Sequence, residues 1–131
     1  MEKKYTTLFR ESYDRCLKKT GFLDNFYDRF FNVSPVVKEM FRKTNFESQK
    51  KMLHNSLIMI MYAANNKMEG KLHLERIAQN HKHLSIHAEH YDLWLNCLVD
   101  SVKEYDPLFS EETEKAWRHT MAFGISVMKE Y

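Results

Sequence analysis

The sequence contains very little glycine and proline, with three glycines and two prolines among 131 residues. Hairpins and tight turns between strands depend on these residues, so their scarcity argues against a β-rich fold and favours a few long helices. No segment alternates apolar and polar residues with the two-residue period of a strand, whereas apolar residues recur every three or four positions throughout. We therefore predict an all-α fold with six or seven helices.

Long apolar runs, cysteine pairs and a strong net charge are also lacking. No apolar run approaches membrane-spanning length, and the first residues, MEKKYTTLF, lack the apolar segment of a signal peptide. Cys16 and Cys97 fall at apolar helical positions and are expected to be buried free thiols. The net charge of +2, with acids and bases interspersed, provides no basic patch for nucleic acid. We predict a cytoplasmic protein without membrane or nucleic-acid partners, in which residues 1–131 form a single domain.

Seven segments combine helical apolar periodicity with end signals. Ser34 followed by Pro35 suits an N-cap and a first helical turn, Ser110 suits a second N-cap, and Gly70 is expected to break the chain between two helices. The predicted helices cover residues 5–19, 22–32, 34 to about 41, 46 to about 66, 72–83, 88–105 and 110 to nearly 131.

Five of the seven histidines lie in or beside residues 74–91, LERIAQNHKHLSIHAEHY. Helical spacing places one of them, His81, on an otherwise apolar stripe, while His83 lies on a polar face. The stripe consists of Leu74, Ile77, Ala78, His81 and Leu84. An inward imidazole has three interpretations: a core histidine held by a hydrogen bond, a catalytic base, or a metal ligand. The other histidines show no clean metal spacing within one helix and are expected to be solvated, and His54 is not expected to bind a metal.

Two further polar side chains interrupt apolar helix faces. Gln49 heads the apolar seam of a long helix, and Tyr27 lies among phenylalanines on a short one. The chain is also rich in aromatic residues and methionine, with nine Phe, seven Tyr and eight Met. Such a composition would suit a pocket around a large flat apolar ligand, although a soft, Met-rich core would look the same. Three inward polar groups on three helices favour the pocket.

The chain resembles the globins, and in particular bacterial single-domain haemoglobins, the haem domain of flavohaemoglobins and the globin domains of haem-based sensors. The motifs that carry the resemblance are FYDRFFNVSPVVKEMF at residues 26–41, FESQKKML at 46–53, IAQNHKHLSI at 77–86 with Tyr91 five residues on, and EKAW at 114–117. The resemblance implies a globin fold of six to seven helices around a haem pocket, with haem b as the cofactor.

On the proximal side, the resemblance makes His81 the ligand of the haem iron. Its other ring nitrogen is expected to donate to Tyr91 or to a backbone carbonyl one turn earlier. Phe41 matches the phenylalanine that packs on the haem face, and Leu53 matches the apolar residue beside the bound gas. Burial alone would not establish these roles, because Phe41 and Leu53 would be buried in the same way as ordinary core residues. Cationic partners for the haem propionates are expected at Lys43, Lys50 and Arg76.

On the distal side, Tyr27 and Gln49 match the pair that stabilises the bound gas. A ligand that gains negative charge on binding iron is stabilised by hydrogen-bond donors, whereas neutral carbon monoxide gains little. The alternatives are that Tyr27 is an aromatic core residue with a satisfied hydroxyl and that Gln49 points into water.

The resemblance implies a haem-binding globin that reversibly binds or scavenges a diatomic gas, with dioxygen, nitric oxide and carbon monoxide as possible ligands. Two alternatives stay open within the family: a gas-sensing domain that acts on a separate signalling partner, and a nitric oxide dioxygenase that needs an external reductase. The glutamate that braces the proximal histidine of flavohaemoglobins is matched loosely by Glu130. A monomer or a homodimer is expected. Outside the family, a haem-free helical interaction module would share the helix pattern.

Overall fold

The computed structural model describes residues 2–82, 86 and 88–130. This part of the chain contains seven α-helices and no strand, as the sequence predicts. None of its helices combines the length and apolar character needed to cross a membrane. The helices are α1 (Glu2–Leu17), α2 (Phe22–Val33), α3 (Pro35–Met40), α4 (Phe46–Ala64), α5 (Met68–Lys82), α6 (Ala88–Tyr105) and α7 (Glu111–Glu130).

The helix starts follow the predicted capping chemistry. The Ser34 hydroxyl accepts a hydrogen bond from the Val37 amide, with Pro35 at the first helical position of α3. Ser110 accepts from the Thr113 amide at the start of α7. The N-cap of α4 is Asn45, whose side chain accepts from the Ser48 amide. These bonds satisfy backbone donors that a helix leaves unpaired in its first turn.

The helices pack in pairs around one aromatic core. α1 lies along α7, α2 along α6, and α4 along α5, while α7 also contacts α4, α5 and α6. Trp117 of α7 is fully buried against the rings of Phe9 and Tyr13 of α1 and Phe22 of α2. Cys16 and Cys97 are buried free thiols, as predicted.

The structure corrects the prediction for Gly70. This glycine does not break the chain between helices but lies inside α5, where it is buried against α4. A Cβ atom at this position would lie 2.4 Å from the backbone nitrogen of Ala63 and 2.5 Å from the carbonyl oxygen of Met59. The absence of a side chain therefore allows the backbones of α4 and α5 to approach closely.

A buried polar network that the sequence did not indicate joins α1 to the α6–α7 corner. The Arg15 guanidinium donates to the Asp106 carboxylate over 2.6 and 2.9 Å, and the Ser12 hydroxyl donates to the same carboxylate over 2.6 Å. The Trp117 indole N–H donates to Ser12 over 2.9 Å. Burial opposes ionisation of Asp106, but these bonds and one from the Leu108 amide outweigh it and lower the carboxyl pKa.

Candidate functional site

His81 lies in the last described turn of α5, on the stripe that the sequence predicts. Leu74 and Ala78 of that stripe are buried, and Ile77 and His81 are half-buried. Leu84, like His83 and His87, lies outside the described residues. The Nδ1 atom of His81 is buried and, among the described residues, has no hydrogen-bond partner. Burial lowers the pKa of this imidazole.

The lack of a partner for Nδ1 among the described residues distinguishes His81 from a satisfied core histidine. Buried polar atoms are almost always hydrogen-bonded, so a partnerless one calls for an explanation such as a binding role. Tyr91 lies beside the imidazole, with the ring centroids 6.5 Å apart. Burial raises the pKa of the Tyr91 phenol. Within the described chain, neither Tyr91 nor a backbone carbonyl accepts from His81 Nδ1, so the proximal hydrogen bond that the resemblance implies is not formed in this structure.

Tyr27 and Gln49 meet across the gap between α2 and α4. The Gln49 Nε2 donates to the Tyr27 hydroxyl oxygen over 3.2 Å. Tyr27 is buried and Gln49 is half-buried, so this bond is partly shielded from water. Burial raises the pKa of the Tyr27 phenol to about 12, although the bond from Gln49 lowers it slightly. The phenol therefore stays protonated, and Gln49 points towards it rather than into water.

Aromatic rings surround the Tyr27 phenol. Its centroid lies 6.0 Å from that of Phe41, 5.5 Å from that of Phe46 and 5.9 Å from that of Phe31. Phe41 is half-buried and also contacts Phe31 and Phe46. Phe41 was expected from the family resemblance, whereas no sequence signal indicated a role for Phe31 or Phe46. Because apolar walls leave few competing polar partners, they strengthen each hydrogen bond formed inside them.

The remaining predicted site residues differ in their surroundings. Leu53 is buried one turn after Gln49. Lys43 and Arg76 are exposed. The Lys50 ammonium, by contrast, forms ion pairs with Asp24 over 2.9 Å and Glu47 over 3.1 Å, which compete with any other anion.

Two further histidines of the described residues, His54 and His73, lie within hydrogen-bond distance of hydroxyl groups. His54 is bonded through Nδ1 to the Tyr13 hydroxyl over 2.7 Å, and the His73 Nε2 lies 3.4 Å from the Ser56 hydroxyl. Across residues 2–82, 86 and 88–130, no group of three His, Cys, Asp or Glu side chains could hold a metal ion.

These residues fit haem. The half-buried His81 imidazole lies on the apolar stripe of α5, and burial favours its neutral form, which is a suitable axial ligand of haem iron. Its buried Nδ1, which has no partner among the described residues, would remain to donate a hydrogen bond. Tyr27 and Gln49 offer hydrogen-bond donors inside an aromatic wall. A flat apolar group with a metal at its centre needs both an axial ligand and apolar walls.

Comparison with known proteins leads to the same family. The family model described as globin matches residues 24–128. The chain is 28% identical to a flavohemoprotein of Vibrio cholerae over 106 residues, which are 79% of this chain and 27% of that protein. It is 31% identical over 98 residues to an uncharacterized globin-like protein of Aquifex aeolicus, covering 74% of this chain and 68% of that one.

A solved structure extends the similarity to nearly the whole chain. The fold superposes on a Pseudomonas aeruginosa PAO1 protein, described as structurally highly homologous to a human hemoglobin, with a TM-score of 0.91 and 35% identity over 97% of both chains. Against the flavohemoprotein, the chain spans about a quarter of the relative's length. Together with the helix order and the site, these matches show that the chain belongs to the globin family and is a haem-binding globin.

Proposed function

We propose that this globin reversibly binds dioxygen, or another diatomic gas that gains negative charge on binding, at haem b held by His81. The observation that carries the proposal is the hydrogen bond from Gln49 to Tyr27 within the aromatic wall. Haem, when bound, supplies the iron at which the gas is held. The chain itself would supply the distal donors from α2 and α4 and the iron ligand from α5.

The direction of the Gln49–Tyr27 hydrogen bond supports a distal role. Because the Gln49 amide donates to the phenol oxygen, the Tyr27 hydroxyl proton is free to donate to a third group. Successive hydrogen bonds polarise one another, so Gln49 makes Tyr27 a stronger donor. A hydrogen bond to a charged acceptor contributes about 1.5–3 kcal/mol, which corresponds to roughly ten- to a hundredfold in affinity.

Selectivity follows from the same donors. A ligand that gains partial negative charge is stabilised by the Tyr27 proton, whereas neutral carbon monoxide gains little. Leu53, buried one turn after Gln49, limits the space beside the ligand. We therefore expect slow dioxygen release and a low preference for carbon monoxide.

The remaining residues hold and orient the cofactor in this proposal. Phe41 would pack against the haem, and Tyr91, whose ring lies beside that of His81, would accept a hydrogen bond from the imidazole when the cofactor is bound. The exposed Lys43 and Arg76 pair with the propionates. Lys50 was also expected at the propionates, but its ammonium is shared between two carboxylates, and it is given no propionate in this proposal.

The absorption spectrum of the purified protein tests the proposal. We expect a Soret band in the ferric protein and, after reduction and exposure to air, a stable dioxygen-bound spectrum that reverses when oxygen is removed. A purified protein that shows no Soret band even after incubation with haem would refute haem binding. A spectrum that returns at once to the ferric form in air would refute reversible dioxygen binding.

A second candidate function is nitric oxide oxidation, favoured by the similarity to the Vibrio cholerae flavohemoprotein. Repeated turnover would need a reductase that returns the iron to the ferrous form. Anaerobic mixing of the dioxygen-bound protein with one equivalent of nitric oxide tests this. Stoichiometric nitrate and rapid conversion to the ferric form support it, and nitric oxide that persists in solution argues against it.

A further inference from the structure

We infer that Lys50, through its ion pair with Asp24, positions Gln49 on Tyr27 and so sets the strength of the distal hydrogen bond. This inference rests on the proposed function, since it assigns Tyr27 and Gln49 to the distal side. It gives Lys50 a role different from binding a propionate. Lys50 is a positioning residue here and touches neither the gas nor the cofactor.

Two adjacent residues of α4 contact two residues on one face of α2. Gln49 donates to Tyr27 over 3.2 Å, and Lys50 pairs with Asp24 over 2.9 Å. Asp24 and Tyr27 are three residues apart, so they lie one turn apart on the same side of α2. The two contacts therefore join the start of α4 to one side of α2.

Phe46 provides the third contact. It lies three residues before Gln49 and four before Lys50, on the same face of α4, and its ring packs edge-on to Tyr27 with centroids 5.5 Å apart. Gln49 is thus flanked by an apolar contact, that of Phe46 with Tyr27, and by an ionic contact, that of Lys50 with Asp24. The opposite face of this segment is exposed at Ser48 and Lys51, so it receives no support from the core.

The Lys50–Asp24 ion pair is partly exposed to solvent. Its effect on the position of Gln49 should therefore be small and sensitive to salt. The Lys50 side chain is 21% exposed, against 61% for Asp24 and 82% for Glu47. The Asp24 pair crosses between helices, whereas the Glu47 pair lies within α4 and cannot hold α4 to α2. Exposed pairs have small effects that are screened by salt. We therefore expect rate effects of about two- to fivefold.

The test measures dioxygen dissociation and the C–O stretching band of the ferrous carbon monoxide form, at low and high salt. With Asp24→Asn, we expect two- to fivefold faster dissociation and a shifted or split C–O band. One molar salt should move the wild type towards the variant. Glu47→Gln, which leaves the cross-helix pair intact, should behave as the wild type, and Lys50→Arg should retain the slow rate. Asp14→Asn is the matched control, because it breaks the exposed Arg10–Asp14 pair on α1.

Each outcome separates the inference from the proposed function. If Gln49→Leu speeds dissociation while Asp24→Asn leaves the rate and the C–O band unchanged, the positioning role is wrong and the distal pair stands. If neither variant changes the rate or the band, the distal assignment fails and the inference fails with it. If Asp24→Asn lowers the unfolding temperature without moving the band, the ion pair only stabilises the fold, which also overturns the inference.

Discussion

The amide nitrogen of Gln49 lies 3.2 Å from the hydroxyl oxygen of Tyr27, and the two residues come from different helices. Because the amide donates, the phenol proton remains available for a ligand. This pair lies inside a wall of three phenylalanines. The chemistry of the site therefore depends on a polar contact in apolar surroundings.

Replacing Tyr27 by phenylalanine removes the distal donor and keeps the ring. Dioxygen dissociation should become roughly ten- to a hundredfold faster, while carbon monoxide dissociation should change much less. Stopped-flow displacement of dioxygen by carbon monoxide measures the rate. Tyr62→Phe, at a half-buried tyrosine of α4, is the control and should leave the rate unchanged. Equal effects on both gases would point to a steric change instead of a lost donor.

The high pKa of Tyr27 predicts a distal hydrogen bond that survives alkaline conditions. Burial favours the neutral phenol and raises the pKa to about 12, so the donor stays protonated well above neutral pH. The ratio of dissociation rates between Tyr27→Phe and the wild type should therefore be constant from pH 6 to about pH 10. A ratio that falls towards one in that range would show that the phenol ionises earlier.

Protonation of the Asp106 carboxylate in acid should lower the free energy of unfolding. Its carboxyl pKa is lowered in the folded protein, so its contribution is fully present above the unfolded value of about 3.9 and is lost as pH falls through the folded value. Asp106→Asn should cost about 2–3 kcal/mol of unfolding free energy at pH 7 and progressively less below pH 4. Urea unfolding at both pH values measures this, with Asp14→Asn as an exposed control. A difference that does not depend on pH would contradict the ionic role.

Gly70→Ala should disrupt the crossing of α4 and α5. The added methyl would meet the Ala63 nitrogen and the Met59 carbonyl, which are backbone atoms that cannot rotate away. We expect a loss near the upper end of overpacking costs, about 3 kcal/mol. At Gly124 the three nearest atoms belong to the Ile60 side chain, at 2.9 to 3.2 Å, and none of them is a backbone atom. Gly124→Ala should therefore cost less than Gly70→Ala, about 1–2 kcal/mol. Thermal unfolding of the two variants compares them directly, and similar losses would refute the backbone argument.

Local signals predicted the helices well where periodicity and end chemistry agree. The predicted helix at residues 88–105 coincides with α6, and the caps at Ser34 and Ser110 are confirmed. The prediction for Gly70 was wrong because a glycine that ends a helix and a glycine that lets another helix approach closely look alike in sequence. The distinction depends on α4, which packs against it.

Contacts between residues far apart in the chain could not be predicted from the sequence pattern. Asp106 bonds Arg15 from 91 residues away, and no local feature of either residue indicates this. Likewise, the pairing of Lys50 with Asp24 depends on how α4 meets α2. The grouping of Tyr27 with Gln49 came from the family resemblance, because periodicity alone left both residues open to ordinary core and surface roles.

The measurement that tests the central claim most directly is the absorption spectrum of His81→Ala beside that of the wild type, each reconstituted with haem and then given imidazole. We expect the variant to lose stable haem binding, or to hold haem in an altered form that added imidazole restores, because its axial ligand is missing. His83→Ala, on the predicted polar face of the same segment, should keep the wild-type spectrum. A His81→Ala protein with an unaltered ferric and ferrous spectrum would contradict the assignment of His81 as the iron ligand.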